Sequence, residues 1–284
     1  MAMVTGPPAY AANVGADMNR MYGLQSQATV VTEGDGANPS YSLRGVEHEV
    51  NNCGRVSCWS HDCEHQDDGD KFADQPGLDW VQTTSFSVVA TGPPCMGPHA
   101  IANARRRAVE RLTALEWSTV ERTVQTGDCG ADPSLSGSDP QLPAGTDPVR
   151  PVDALALLEW GFRDYGGPGI LHAPSYVYPH LKSWIQRDAG RLTTQMGHGW
   201  VFGRGYASVP PGGAAPDRDT PPDLSSVWLY GTGAVRVWRS QIQYPAGGSV
   251  EYDFRQNRSV ALVERSYTVS IQCPTVAVNV DLTT

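Results

Sequence analysis

Three thiols and two imidazoles crowd one short stretch of this chain: Cys53, Cys58, His61, Cys63 and His65. Zinc takes thiolate and imidazole ligands in a tetrahedron, so this is the first place where chemistry could reside. The spacing is C-x4-C-x4-C-x-H, without the C-x2-C knuckle of common zinc sites. Three readings stay open: a structural metal, a disulfide, or free thiols. Beside it runs Asp67, Asp68, Asp70 and Asp74. The glycine and terminal glutamate of a calcium loop are missing, so these acids read as a solvated loop.

Other constellations fall short of a mechanism. His48-Glu49 lacks the second histidine of H-E-x-x-H. Gly197-x-Gly199-x-x-x-Gly203 misses dinucleotide spacing, and no suitable acid follows. Neither a P-loop nor G-x-S-x-G is present. His172 and His180 flank an apolar segment and read as core or surface histidines. Asn257-Arg258-Ser259 has the pattern of a glycosylation acceptor, but no secretion signal accompanies it. Trp228, Tyr230, Trp238 and Tyr244 read as core or subunit contact, ahead of a sugar-binding platform. No residue is therefore assigned to catalysis, to a cofactor or to a metal, and the expectation is a protein that is not an enzyme.

Composition narrows the classes further. The 284 residues suffice for a large core or two subdomains. Gly (30) and Pro (22) imply many turns and long connections. The net charge is −9, with lysine only at Lys71 and Lys182. Without a basic stripe, tight binding to a nucleic-acid backbone is excluded. No stretch reaches the roughly 18 apolar residues of a membrane span, and the N-terminus lacks a signal-peptide core. A soluble protein made in a cytoplasm is expected. Its six cysteines are too dilute for a disulfide scaffold.

The elements that would position these residues follow from periodicity. Residues 1 to about 40 keep no period and read as an arm ordered by a partner. Residues 41–90 read as a long hairpin with an elaborate tip, its return strand Trp80 to Val89 ending at Gly92-Pro93-Pro94. Ile101, Ala104, Ala108, Leu112, Leu115, Trp117, Val120 and Val124 predict one helix from Pro98 to Thr126, about 43 Å long at 1.5 Å per residue. Arg105, Arg106, Glu110 and Glu121 are placed on its other faces, and Arg105 and Arg106 on an outer one. A polar loop covers 128–150. Pro151 opens a second helix, with Val152, Leu155, Leu158 and Phe162 on one face. Ile170 to His172 reads as a buried strand, and Ser175 to Gly190 as a third helix. Leu192 to Met196 and Trp200 to Tyr206 form a hairpin candidate around Gly197-His198-Gly199. The rest is β: Val227 to Tyr230, Ala234 to Tyr244, Ser259 to Glu264, Tyr267 to Ile271 and Val276 to Leu282. The last strand alternates strictly.

This order of parts resembles the major capsid proteins of tailed bacteriophages of the Hong Kong 97 type, a fold shared with encapsulin shells. Trp80 to Val89 is similar to the returning strand of that family's E-loop. ERLTALEWSTVERTVQTG resembles its spine helix with the glycine stop. The passage from Gly166 to Pro174 resembles the strand that leads into a helix of the A-domain, and Gln256 to Tyr267 the closing β run. GHGWVFGRGY and WLYGTGAVRVWRSQI resemble structural proteins of actinobacterial phages.

The resemblance implies an α+β Hong Kong 97-like capsid fold. Its parts would be an N-terminal arm (1–40), an E-loop hairpin (41–92), a P-domain with the spine helix (93–150), an A-domain (151–245) and C-terminal strands returning to the P-domain (246–284). It further implies pentamers and hexamers of this chain, with portal, scaffolding and decoration proteins as partners. The DNA would be held without specific binding, with no membrane involved, in a virion capsid assembled in the host cytoplasm. The Cys/His tip is not a family feature. The short arm implies no fused scaffolding domain. For the Lys–Asn crosslink of some relatives, Lys71 is the one hairpin lysine, and it has no assignable partner.

Overall fold

The computed structural model describes residues 22–32, 45–50, 79–95, 100–217, 219–244, 251–253 and 258–283. The Cys/His cluster, the acidic run, Lys71 and Asn257 lie outside them. Cys129 is a free, exposed thiol and Cys273 is disulfide-bonded.

The helical spacing produces α1, Ala100–Thr126. It stops at Gly127, whose φ of 74° is a left-handed conformation open to glycine. Ala104, Ala108, Leu112, Trp117, Val120 and Val124 are buried as expected. Leu115 is not: it is 54% exposed. The covered face runs through 112, 116 and 120, and one residue along a helix turns about 100° away.

α1 lies on a sheet made of distant strands. The hairpin is present as β2 (Val46–Val50) paired antiparallel with β3 (Asp79–Thr83). The expected continuous strand breaks at Thr84, and β4 (Ser85–Cys95) begins after it. The break has a cause in the loop after α1. The Thr84 N–H donates to the Asp132 carbonyl at 2.8 Å, and the Asp132 N–H donates to Thr84 Oγ1 at 2.8 Å. β4 does not end at the prolines. It continues to Cys95 beside β12 (Arg258–Ile271), where the register shifts between Ser259 and Ala261. Such an irregularity tolerates proline. β12 is one strand where the sequence suggested two. On its other edge it pairs with β10 (Val235–Arg239) and β11 (Glu251–Asp253). β1 (Thr29–Thr32) closes this side, parallel to β10. Phe86, Val88, Ala90, Val263, Tyr267 and Val269 share one core with α1.

The second sheet has the order β13-β9-β5-β8-β7-β6. Its strands are β5 (Ile170–Pro174), β6 (Gln186–Asp188), β7 (Arg191–Thr193), β8 (Gly199–Gly203), β9 (Ser226–Thr232) and β13 (Thr275–Asp281). β5 and β8, which pair in parallel, are buried at every position, as a sheet covered on both faces requires. One face packs on α2 (Pro151–Gly161) through Leu171, Trp200, Phe202, Leu229, Val276 and Val278. The other face joins the α1 core through Ile170, Val201, Trp228, Tyr230 and Ala277. The two alternating sets of one strand thus serve two cores.

Three expectations are corrected here. Ser175 to Gly190 is not a helix. A 3-10 turn (Ser175–Val177), one helical turn α3 (Tyr178–Leu181) and a second 3-10 turn give way at Ile185, which is extended. Ala189 and Gly190 then take positive φ, 46° and 82°, and turn β6 into β7. The hairpin around Gly197-His198-Gly199 shrinks to one pair, Thr193 with Gly199. β13 pairs antiparallel with β9 in the second sheet. Its outer edge is covered by the loop, with the Val149 N–H on the Asn279 carbonyl at 3.0 Å and the Gln141 N–H on the Thr275 carbonyl at 2.9 Å. Finally, Val152 points outward at 47% exposure, and the buried face of α2 is Ala154, Leu158 and Phe162.

α1 approaches β4 closely. A Cβ added at Gly92 would stand 2.1 Å from the Ala104 carbonyl oxygen. Backbone cannot yield as a side chain tip can, so Gly92→Ala is expected to destabilise by about 2 kcal/mol or more. Urea unfolding of the variant beside wild type measures it, and an unchanged midpoint would refute this packing.

Candidate functional site

Among the buried polar side chains of α1 are Glu116, Glu121 and Gln125. They form a seam between the two sheets. Glu116 faces the first sheet. Its Oε2 accepts from Arg265 Nη1 at 2.7 Å and from Tyr267 Oη at 2.8 Å, and Arg239 Nη1 lies 3.5 Å from Oε1. Arg239 also donates to Thr32 Oγ1 at 2.9 Å and lies over the Trp117 ring. The neighbouring carboxylate and burial push the Tyr267 hydroxyl above its usual range, burial being the larger cause.

Glu121 faces the other way. Its Oε1 accepts the Leu24 N–H at 2.9 Å and its Oε2 accepts the Gly205 N–H at 3.0 Å. One turn on, Gln125 Oε1 accepts the Ala207 N–H at 2.7 Å. The helix thus supplies acceptors to two segments without regular pairing of their own, as buried N–H groups require. Burial raises the Glu121 carboxyl from 4.5 to about 7, against the opposing N–H donors and the Arg204 charge.

Two of the three glycines that failed as a nucleotide motif, Gly199 and Gly203, are closely packed, as is Gly205 beside them. A Cβ at Gly203 would lie 2.7 Å from the Glu121 carboxyl, one at Gly205 1.8 Å from the Ser118 carbonyl, and one at Gly199 2.5 Å from the Gln27 amide.

His172 is 2% exposed. Its Nδ1 is 2.9 Å from Tyr206 Oη and its Nε2 is 2.9 Å from Thr232 Oγ1. Thr232 donates its own proton to the Gly233 carbonyl, so Nε2 is the donor toward Thr232 and Nδ1 accepts from Tyr206. Burial lowers the imidazole to about 3 and keeps it neutral. This is a satisfied core histidine, while His180 is exposed. The two hydroxyl partners of His172, on Tyr206 and Thr232, are buried with it.

The four aromatics do not form one stripe. Trp228 and Tyr230 are buried on β9, whereas Trp238 sits on β10 in the first sheet and Tyr244 is 42% exposed. Arg105 does not project freely, since its guanidinium lies 5.9 Å from the Tyr244 ring centre. Arg106 does, at 66% side-chain exposure. Among the described residues, no group of three His, Cys, Asp or Glu could hold a metal, and no helix is long and apolar enough to cross a membrane.

Sequence reasoning missed Glu116 and placed Glu121 off the apolar face of the helix. A signal existed: Glu116 and Glu121 repeat the spacing of Leu112, Trp117, Val120 and Val124.

No family model and no curated protein matches this sequence. Solved structures do match. The capsid of a native GTA particle is 10% identical with a TM-score of 0.56, over 99% of this chain and 94% of that one. The capsid of an empty GTA particle is 10% identical with a TM-score of 0.55, over 92% and 90%. A virus-like particle from Pyrococcus furiosus is 11% identical with a TM-score of 0.49, over 96% of each. The chain has a Hong Kong 97-like capsid fold. In this capsid fold the long helix is the common support of both sheets, and the polar seam fixes it to each.

Glu116 is the charge on which two buried guanidinium groups depend. Glu116→Gln leaves Arg265, 11% exposed in its side chain, without its counter-ion, and should cost about 3 kcal/mol. Thermal unfolding at matched pH tests this, and a loss below about 1 kcal/mol would mean that the arginines find other partners.

Proposed function

We propose that this chain is the major capsid protein of a tailed bacteriophage, building pentamers and hexamers of an icosahedral head around double-stranded DNA. The observation that carries the reading is the extent of the likeness: the Hong Kong 97-like fold matches capsid chains over 92% and 99% of this chain, not over one subdomain. The segments GHGWVFGRGY and WLYGTGAVRVWRSQI support an actinobacterial phage as the source. α1 with the first sheet corresponds in this reading to the P-domain. The second sheet with α2 corresponds to the A-domain, and residues 41–92 to the E-loop.

The surface suits many modest contacts. Val89, Leu115, Met196 and Leu224 are exposed on separate segments, and Val152 and Trp160 on α2. None is a broad patch, and several small interfaces hold a subunit by multivalency. The charge of −9 suits a wall that contains DNA without adhering to it. Portal, scaffolding and decoration proteins are the further partners, and assembly takes place in the host cytoplasm.

Negative-stain microscopy of the purified protein should show closed shells. A monomer at high concentration would overturn the proposal, and a protein-filled shell free of DNA in the native particle would replace it by an encapsulin-like reading. Arg106 and Arg107 are exposed on α1. Changing both to Glu should leave folded subunits, judged by circular dichroism, that build no shells. Normal shells from that variant would remove this face from the subunit contact.

A further inference from the structure

We propose that the segment Tyr22–Thr32 is a proton-linked strap, docked when Glu121 is protonated and loosened when it ionises. The strap is fixed at separate points to the body. Leu24 is fully buried. The Gln27 amide donates to the Leu192 carbonyl at 2.9 Å, and β1 pairs with β10. At its centre, the Leu24 N–H meets Glu121, a carboxyl with 0% exposure wedged between strap, helix and the 203–207 loop. Gly203 and Gly205 pack closely on the far side, where an added Cβ would lie 2.7 Å from the Glu121 carboxyl and 1.8 Å from the Ser118 carbonyl oxygen.

The facing groups are few. The 203–207 loop contributes Arg204, whose charge favours the ionised form, and Tyr206, whose hydroxyl burial holds protonated. β5 contributes His172 behind Tyr206, neutral through burial. On α1 the nearest acid on the covered face, Glu116, is turned to the arginines of the first sheet. Glu121 is thus the group here whose charge changes across neutral pH. Docked, its carboxyl sits at about 7, against an ordinary 4.5. With the strap lifted and the carboxyl in water, it falls toward the ordinary value. Lifting then releases a proton between those two limits. The docked state is fully favoured below pH 4.5, loses ground as pH rises, and levels off above 7. A lifted strap also uncovers the edge of β10, an edge to which another copy's strand could add. That consequence rests on the shell reading, and the strap itself does not.

Hydrogen exchange of the 22–32 peptide by mass spectrometry, on the purified full chain and corrected for intrinsic rates, tests the strap without reference to particles. Opening should rise about tenfold per pH unit from roughly 5 to 7 and then flatten. Glu121→Gln should remove the slope. Arg204→Gln, which keeps every backbone donor, should move the plateau to higher pH. A flat wild-type profile overturns the proposal whether or not Glu121→Gln folds. So does an unchanged slope in Glu121→Gln or an unmoved plateau in Arg204→Gln.

Discussion

α1 is covered on more than one side, and that constraint organises the molecule. The first sheet packs along Ala108, Leu112 and Val120, while the strap and the 203–207 loop press on the turn around Glu121. A helix in water can leave its off-face positions to solvent. Around Glu116, Glu121 and Gln125 this one is covered, so those buried positions carry groups that bind rather than repel. Irregular backbone at Leu24, Gly205 and Ala207 needs acceptors, and each buried N–H left unpaired would cost about 1–3 kcal/mol. Glu121 and Gln125 provide them.

Close approach is the second constraint and explains much of the glycine content. At Gly92, Gly161, Gly199 and Gly205 a Cβ would collide with a helix carbonyl, a valine side chain, a glutamine amide or another helix carbonyl. Gly169 and Gly231 leave the space that the Phe162 ring fills on the α2 side of the second sheet. These residues do not confer looseness. They set the distances between layers.

Several parts were legible because the chain states them locally. The α1 apolar band, the Gly127 stop and Pro151 at the start of α2 depend on neighbours three or four residues apart. The hairpin of β2 and β3 and the alternation of β13 were equally plain. The third helix failed because the chain becomes extended at Ile185 and enters β6, after which positive φ at Ala189 and Gly190 turns it into β7. The buried seam was partly legible: Glu116 and Glu121 stood at core spacing, but a carboxyl there reads as surface unless its partners are known. Those partners, Arg239, Arg265, Leu24 and Gly205, lie about 80 to 150 residues away.

The sequence by itself determined the long helix with its glycine stop, the start of α2 and the alternation of β13, since each rests on short-range periodicity or on residue types. Only the tertiary structure decided which strands share a sheet, that β13 joins β9, that β10 leaves its chain neighbour β9 for β12, and which carboxyls are buried. The physical reason is range: strand pairing and the desolvation of a charge depend on segments far apart in the chain, and no local pattern records which of them will meet.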